Sequence, residues 1–495
     1  MQRSAQAAPG RRGLRRLAPP RPLAALLAIV VIVGLAWALV VPPWQSPDES
    51  THFAYVQSLA ENFELPGVAG RPGVSSDQNV ADNAVGASHG AFYPGASPPD
   101  WSRADAAAYL KREEGSDPPS RSDGSGPLAA DSNPPLYYLF GTIGYLVDHG
   151  GTAFGRLYAI RISGIVLLAL TTLGAWLLAG EALGRRRLPQ LGCAAVAGLL
   201  PMVTFMSTNV NPDALLVTTW TFALWLGARV INRGARGGDV VALCAMIAAA
   251  ILTKATSYAL VVPVLFALFI GWRRRPASER RPALKVMAWA GLVLVVPVLG
   301  WVALAHASGR SPINSIGSSA AHPFNTGQFL SYVWQFYLPR LPFLTPLRVT
   351  RQLSVYSIWL NQGTGVFGWL DVYLPAWVYP AAACTFGAIA VAAVGLLTRV
   401  VTRIHLALLG FFALTVVALL GLLHITEYRA IISGTSVFLQ GRYLLPIVGL
   451  LGLAVGLIVS RIPARARPVG GGMVITVLMA LQVLSLSAIV QAYYL

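Results

Sequence analysis

From Leu23 to its last residues the chain alternates apolar runs of 17 to 24 residues with short polar turns. A helix of about 20 apolar residues crosses the hydrocarbon core of a bilayer. Within lipid, only helices and closed barrels satisfy every backbone N–H and C=O group. The pattern therefore predicts an all-α polytopic membrane protein. A first transmembrane helix is expected over 22–41, and further spans near 157–180, 188–207, 213–231, 239–254, 256–272, 286–305, 376–398, 404–423, 443–460 and 469–490. That makes eleven, within a range of 10–13, and the two runs flanking Lys254 are the shortest.

Two stretches break the rhythm. After the first span a loop of roughly 90 residues runs to about Ser132, rich in Gly, Pro, Ser and Asp between Gly86 and Asp131, a composition that favours irregular and flexible chain. A second break, 306–375, is rich in aromatics, Pro and Gly. Between the first loop and the next span, Asn133-Pro134-Pro135-Leu136-Tyr137-Tyr138 opens an apolar run ending by Val147. About 13 residues are too few to span comfortably, and the aromatic pair suits a membrane interface. The expected organisation is an arm over 1–21, the first span over 22–41, an outer loop with juxtamembrane helices over 42–154, a bundle over 155–305, a second outer segment over 306–375 and C-terminal spans over 376–495.

Composition supports this class: 55% of residues are hydrophobic and only 12% charged, with a mean hydropathy of +0.59. The charge distribution sets the orientation. The net charge is +17, and 34 of the 37 basic residues are Arg. They cluster in short turns: Arg11, Arg12, Arg15 and Arg16, then Arg185 to Arg187, Arg273 to Arg275, and Arg461, Arg465 and Arg467. Short basic loops are retained in the cytoplasm, so the N-terminal arm is expected inside, as a disordered segment, and the C-terminus outside. The first large loop, with 13 of the 20 acidic residues and five basic ones, is expected outside. A nucleic-acid surface would need one continuous basic face, which this distribution excludes. Cys193, Cys244 and Cys384 lie inside apolar runs without metal-ligand spacing and read as packing residues. Pro42-Pro43-Trp44 is a poor cleavage context, so an uncleaved first span is expected. The Ala- and Arg-rich, Lys-poor composition resembles that of a high-GC bacterium, and a multi-pass protein of the bacterial cytoplasmic (inner) membrane is expected.

Candidate chemistry begins where the first span ends, at Pro47-Asp48-Glu49-Ser50-Thr51-His52. Ionisable groups at a membrane boundary are costly and commonly functional. A carboxylate there, Asp48 or Glu49, suits a general base acting on a hydroxyl at headgroup depth. The competing reading is a polar cap for a helix starting near Ser50. His52 reads as an orienting group for a carboxylate or as an interfacial hydrogen-bonder. Asp213, in Asn211-Pro212-Asp213, lies at an outer turn, either as a first-turn anion favoured by the helix dipole or as a functional group. Lys254 is the only Lys within an apolar stretch; it reads as a phosphate-neutralising cation or a snorkelling side chain. Arg340 and Arg442 lie on the outer side, against the basic-inside bias. Bidentate pairing with phosphate is one reason for them, and an intramolecular partner such as Glu427 or Asp371 is the other. Arg161 carries the same two readings. A phosphate loop, an HExxH motif and a nucleophile elbow are absent from the sequence, and the seven His are scattered. No metal ligand set stands out; a divalent cation beside Asp48 and Glu49 is compatible with the motif but not demanded by it.

Six stretches taken together carry a family likeness: PPWQSPDESTHFAYVQSLAE, SNPPLYYLFG, NVNPDALL, LTKATSYALVVP, YLPRLPF and QGRYLLP, in this order between residues 42 and 446. The layout resembles the GT-C superfamily of integral-membrane glycosyltransferases. More closely it resembles a bacterial subfamily of predicted membrane proteins catalogued as a domain of unknown function. The resemblance implies transfer of a sugar from a polyprenyl-phosphate donor to a cell-envelope glycan or lipid-linked acceptor at the outer face of the membrane. It maps the catalytic base onto Asp48, with Glu49 second, and the interfacial helix onto Pro134 to Val147. Phosphate-binding cations are sought among Lys254, Arg340 and Arg442, with His52, Asn133 and Asp213 as further substrate contacts. Two other classes fit the composition. A transporter or flippase of lipid-linked intermediates calls for inverted repeats and mid-membrane charges, and a non-catalytic envelope scaffold would use the acidic loop for docking.

Overall fold

The computed structural model describes residues 19–86, 103–113, 115, 117–310, 323–344, 354–398, 403–434 and 439–495. The expected N-terminal arm lies almost wholly outside the described residues.

Helix α1 (Arg21–Val40) opens on Pro20 and Pro22 and is the first span. After it come the loop helices α2 (Glu49–Asn62), α3 (Ser76–Ala84), α4 (Arg103–Glu113) and α5 (Leu136–Val147). A bundle follows: α6 (Ala153–Ala182), α7 (Arg187–Leu199), α8 (Pro201–Ser207), α9 (Asp213–Arg233), α10 (Gly237–Ile251), α11 (Val261–Arg273) and α12 (Ala277–Ala307). The second large segment between spans holds α13 (Thr326–Tyr337), a π-helical turn Tyr356–Gln362, the single turn α14 (Gly363–Gly365) and a two-stranded antiparallel hairpin, β1 (Val366–Phe367) and β2 (Val372–Tyr373). Helices α15 (Val378–Leu397), α16 (Arg403–Ile432), α17 (Val448–Arg461) and α18 (Arg467–Tyr494) complete the chain.

Among the described residues nine helices are long and apolar enough to cross a membrane, and ten if the bent pair α7–α8 is one span. The expectation of eleven differs at α10, whose 15 residues rise only about 22 Å, short of a full hydrocarbon core. The break between α7 and α8, a bend of 56°, follows from Pro201. Proline has no N–H to donate and pushes the residue before it out of helical backbone, and Leu200 is extended accordingly.

Two spans begin as 3-10 turns. Ala255–Leu260 leads into α11, and Gly441–Ile447, with Pro446 inside it, leads into α17. Both turns lie at the end of the bundle reached by the exit of α1, and each presents a cation, Lys254 or Arg442.

The first large loop is far more ordered over its described part than its composition predicts. Ser75 caps α3 by accepting from Gln78 N. Asp77, fully buried, pins α3 to α6 through a two-oxygen pair with the buried Arg156 at 2.9 and 2.7 Å. On α5, Leu139, Ile143, Leu146 and Val147 are exposed while Tyr137, Tyr138 and Tyr145 are buried. That helix is amphipathic, as an interfacial position requires. The main core surrounds Trp37 of α1, which packs against Phe205 and Phe367 and donates to Gln482 Oε1.

Candidate active site

The exit of α1 places Asp48 and Glu49 side by side and sends them to different partners. Asp48 stands before α2 with left-handed backbone, φ 62° and ψ 12°, a region that Asp tolerates better than most residues. Its carboxylate is 43% exposed and accepts from Arg442 Nη2 at 2.8 Å. Glu49 is fully buried. It takes Arg161 Nε at 2.8 Å on Oε1 and Arg161 Nη2 on Oε2, together with the backbone N–H of Val210 at 3.0 Å and of Trp44 at 3.1 Å. Arg161, itself fully buried, also donates to the carbonyls of Ala38, Val41 and Pro42. With four donors on its two oxygens, Glu49 has little acceptor capacity left. It joins α1, α6 and the α8–α9 turn and does not share the environment of Asp48.

That α8–α9 turn also fixes the acidic motif from the other side. Asn211 donates to Pro47 O at 3.2 Å and accepts from Asp213 N at 3.0 Å. Asp213, the first residue of α9, is buried and accepts from Lys254 Nζ at 2.6 Å. Its other oxygen, Oδ2, lies 3.9 Å from Arg442 Nε and has no hydrogen bond among the described residues. Lys254 and Arg442 both stand over the ring of Tyr443, at 4.8 and 5.5 Å from its centroid. Asp48, Asp213, Lys254 and Arg442 thus form one cluster drawn from four separate stretches of chain.

Arg442 is only 6% exposed, yet its Nε and Nη1 make no hydrogen bond among the described residues. Buried guanidinium N–H groups without acceptors are costly. A crevice of about 10 Å³ beside it, lined by Pro47, Met206, Gln362 and Gln440 among others, has room for roughly one water. The position of Arg442 depends on Gly441. A Cβ there would lie 2.5 Å from both Gly363 N and Ile358 O, so only glycine allows this approach to the π-helical turn. Gln362 Oε1 accepts from Gly441 N at 2.9 Å and completes the junction. The intramolecular partners expected for Arg442 were Glu427 or Asp371; it meets Asp48 and Asp213 instead. Asp371 caps its own hairpin turn at Trp369 N, and Glu427 accepts from Leu439 N.

His52 lies one turn into α2, buried, with Nδ1 2.9 Å from Tyr138 Oη. Asn133 Nδ2 donates to the same hydroxyl at 3.0 Å. Tyr138 Oη and His52 Nδ1 share one hydrogen bond, whose donor is set by the imidazole tautomer. Tyr55 stacks on Tyr138, rings 3.7 Å apart, and donates to Asn133 O. Burial pushes His52 down to about 4, helped by Arg442 and Lys254 and opposed by Asp48 and Asp213. It is neutral at ordinary pH. Burial would raise Asp48, but the Arg442 guanidinium, with His52 and Lys254, outweighs it and holds the carboxyl below its usual value.

Arg340 stands apart from this cluster. It is exposed beyond α13, and no hydrogen bond or ion pair among the described residues ties it to Asp48, Asp213 or Lys254. Sequence reasoning gave no weight to three residues that shape the cluster: Tyr138, Asn211 and Tyr443. Each lies within four or five residues of a singled-out position, but an aromatic ring or an Asn in a loop carries no signal of its partner. Glu49 is saturated, Asp48 and Asp213 each face a cation, and among the described residues no group of three or more His, Cys, Asp or Glu converges.

Solved structures similar to this chain include ArnT from Cupriavidus metallidurans in the apo state, at 14% identity and a TM-score of 0.49, with 90% of this chain and 61% of that one covered. The same protein bound to undecaprenyl phosphate matches at 14% and 0.48, covering 96% and 76%. The oligosaccharyltransferase AglB from Archaeoglobus fulgidus, in complex with an inhibitory peptide and a dolichol-phosphate, matches at 13% and 0.47, covering 95% and 56%. The chain thus spans less than two thirds of the apo ArnT and AglB chains. No curated protein matches the sequence. The family model described as "Predicted membrane protein (DUF2142)" matches residues 31–451, and the chain belongs to that family.

Proposed function

We propose that the protein is an inverting glycosyltransferase of GT-C type. It would transfer a sugar from a polyprenyl-phosphate donor to a cell-envelope glycan or lipid-linked glycan at the extracytoplasmic face of a bacterial cytoplasmic membrane. One observation carries this reading. Asp48, a half-exposed carboxylate at a membrane boundary, is paired with a guanidinium whose Nε and Nη1 make no hydrogen bond among the described residues.

In the proposed step Asp48 takes the proton of an acceptor hydroxyl. The acceptor oxygen forms its bond to the anomeric carbon while the bond from that carbon to the phosphate oxygen breaks. Polyprenyl phosphate departs with the electron pair, and its charge is met by Arg442 and Lys254. Attack opposite the leaving group inverts the anomeric centre. The low pKa of Asp48 makes it a weak base while Arg442 faces it. Turning Arg442 toward the phosphate raises Asp48 and makes it a better one. Asp213 holds Lys254 in place, and neutral His52, aligned through Tyr138 and Asn133, offers the acceptor a hydrogen bond. Glu49 is a structural anchor, and Arg340 takes no part. A cavity of about 560 Å³ lined by Thr364, Trp377, Phe386, Leu451 and Leu481 suits the apolar chain of the donor. Thr364 lies two residues from Gln362, which holds Gly441.

The test is incubation of purified protein with a panel of radiolabelled polyprenyl-phosphate sugars and envelope acceptors. Asp48→Asn is expected to lower product formation about thousandfold, within the range of a lost general base, while eluting as a folded, monodisperse species. Near-normal product from that variant would overturn the assignment of Asp48. Movement of intact lipid-linked sugar across vesicles without any transfer would favour a flippase.

A further inference from the structure

A second cavity, of about 570 Å³, opens between α15, α16 and α17 beside the turn joining α6 to α7. It lies at the other end of the bundle from Asp48. Arg161, near the start of α6, meets Glu49. Ala182 closes α6 and lines the cavity. The 21 residues between them rise about 32 Å, the thickness of a hydrocarbon core.

The cavity walls are apolar, with Leu397, Leu408, Phe412 and Leu453 among them. The polar side chains are confined to one end, where Arg186 and Arg461 lie with Ser460. Ser460 Oγ is turned to its own helix, donating to Leu457 O at 2.6 Å. Both Arg side chains are exposed, and among the described residues neither makes a hydrogen bond or ion pair. Among the described residues the cavity lining contains no carboxylate. Two Arg residues in the lining, with no acid beside them among the described lining residues, leave a positive rim on an apolar cleft. Its volume falls within the roughly 300–1,000 Å³ of ligand sites. An oily cleft with a cationic rim at the basic end of a membrane protein matches an anionic lipid, headgroup at the rim and chain inside. By the basic-inside rule this rim faces the cytoplasm.

We propose that this cleft binds one anionic glycerophospholipid of the cytoplasmic leaflet. Its phosphate sits between Arg186 and Arg461, and an acyl chain lies along Leu453 and Phe412. The proposal does not rest on the glycosyltransferase reading, since the cleft shares no residue with the Asp48 cluster.

Native mass spectrometry of the purified full-length protein, titrated with phosphatidylglycerol or phosphatidylcholine, tests it. Wild-type protein should retain phosphatidylglycerol preferentially. The double substitution Arg186→Gln with Arg461→Gln should weaken that binding roughly thirtyfold, the factor two surface cations contribute. A control with equal charge loss, Arg185→Gln with Arg465→Gln, should bind as wild type does. Ala454→Trp, which fills the cleft without touching charge, should also release the lipid. If that variant misfolds, the arginine pair and its control decide alone. Equal retention of the two lipids by wild type, an equal loss in the control, or displacement of the lipid by millimolar inorganic phosphate would each overturn the proposal.

Discussion

Two adjacent carboxylates with opposite surroundings decide how the acidic motif is read. Asp48 is half-exposed with one charged partner, whereas Glu49 is sealed against Arg161 with four donors. Their variants should therefore behave differently. Glu49→Gln leaves the Arg161 charge buried and short of its counter-ion, a defect typically worth about 3 kcal/mol or more. It should lower the yield of monodisperse protein and the melting temperature in detergent, and Glu49→Gln with Arg161→Met should recover part of the loss. Asp48→Asn should lower both by less, because the amide oxygen still accepts from Arg442 Nη2 and position 48 is 43% exposed. Equal destabilisation by the two single variants would contradict this division. His52 adds a pH dependence. Its folded-state pKa, about 4, lies below the ordinary value of 6.5, so the unfolded chain binds its proton first as pH falls. The stability from neutral His52, facing Tyr138, Asp48, Asp213, Arg442 and Lys254, is full above about pH 6.5 and declines between 6.5 and 4. Thermal unfolding from pH 7.5 to 4.5 should show the decline, and His52→Gln should flatten it.

The 3-10 openings of two spans bring Lys254 and Arg442 to a common ring, that of Tyr443. For the second of these the approach is set by Gly441, which has no room for a Cβ against backbone that cannot move aside. Gly441→Ala should push the turn Gly441–Ile447 off the π-helical turn and misplace Arg442. A fall in transfer of at least tenfold is expected, since small misplacements near the reacting groups are expensive, along with a lower melting temperature. Transfer at the wild-type rate would show that the junction does not position Arg442. The same elements mark the limits of sequence reading. Hydropathy located the long apolar runs, and the short run from Leu136 was separable from the spans by length, but the expected span 188–207 did not foresee the bend at Pro201. The order within residues 49–86 was not legible, because polar, Gly-rich composition does not disclose a buried pair such as Asp77 with Arg156.

Sidedness ties these parts into one molecule. If the basic turns face the cytoplasm, Asp48, Asp213, Lys254 and Arg442 share the outer face, while Arg186 and Arg461 share the inner one. A cysteine-free version carrying Phe63→Cys, at a position 92% exposed in the first outer loop, should react with a membrane-impermeant maleimide in intact cells. The matching Arg185→Cys should react only after permeabilisation. The reverse pattern would invert the topology and place the Asp48 cluster on the cytoplasmic side. What the chain order alone established is the class, most of the spans and the residues that deserved suspicion. Lipid forces each span to satisfy its backbone internally, so those features are written locally in runs of twenty residues. The partnerships were settled only by the packed bundle. Asp48 meets Arg442 across 394 positions, and Glu49 meets Arg161 across 112. Charge pairing at such separations depends on which helix ends converge and how closely, and no local pattern records that.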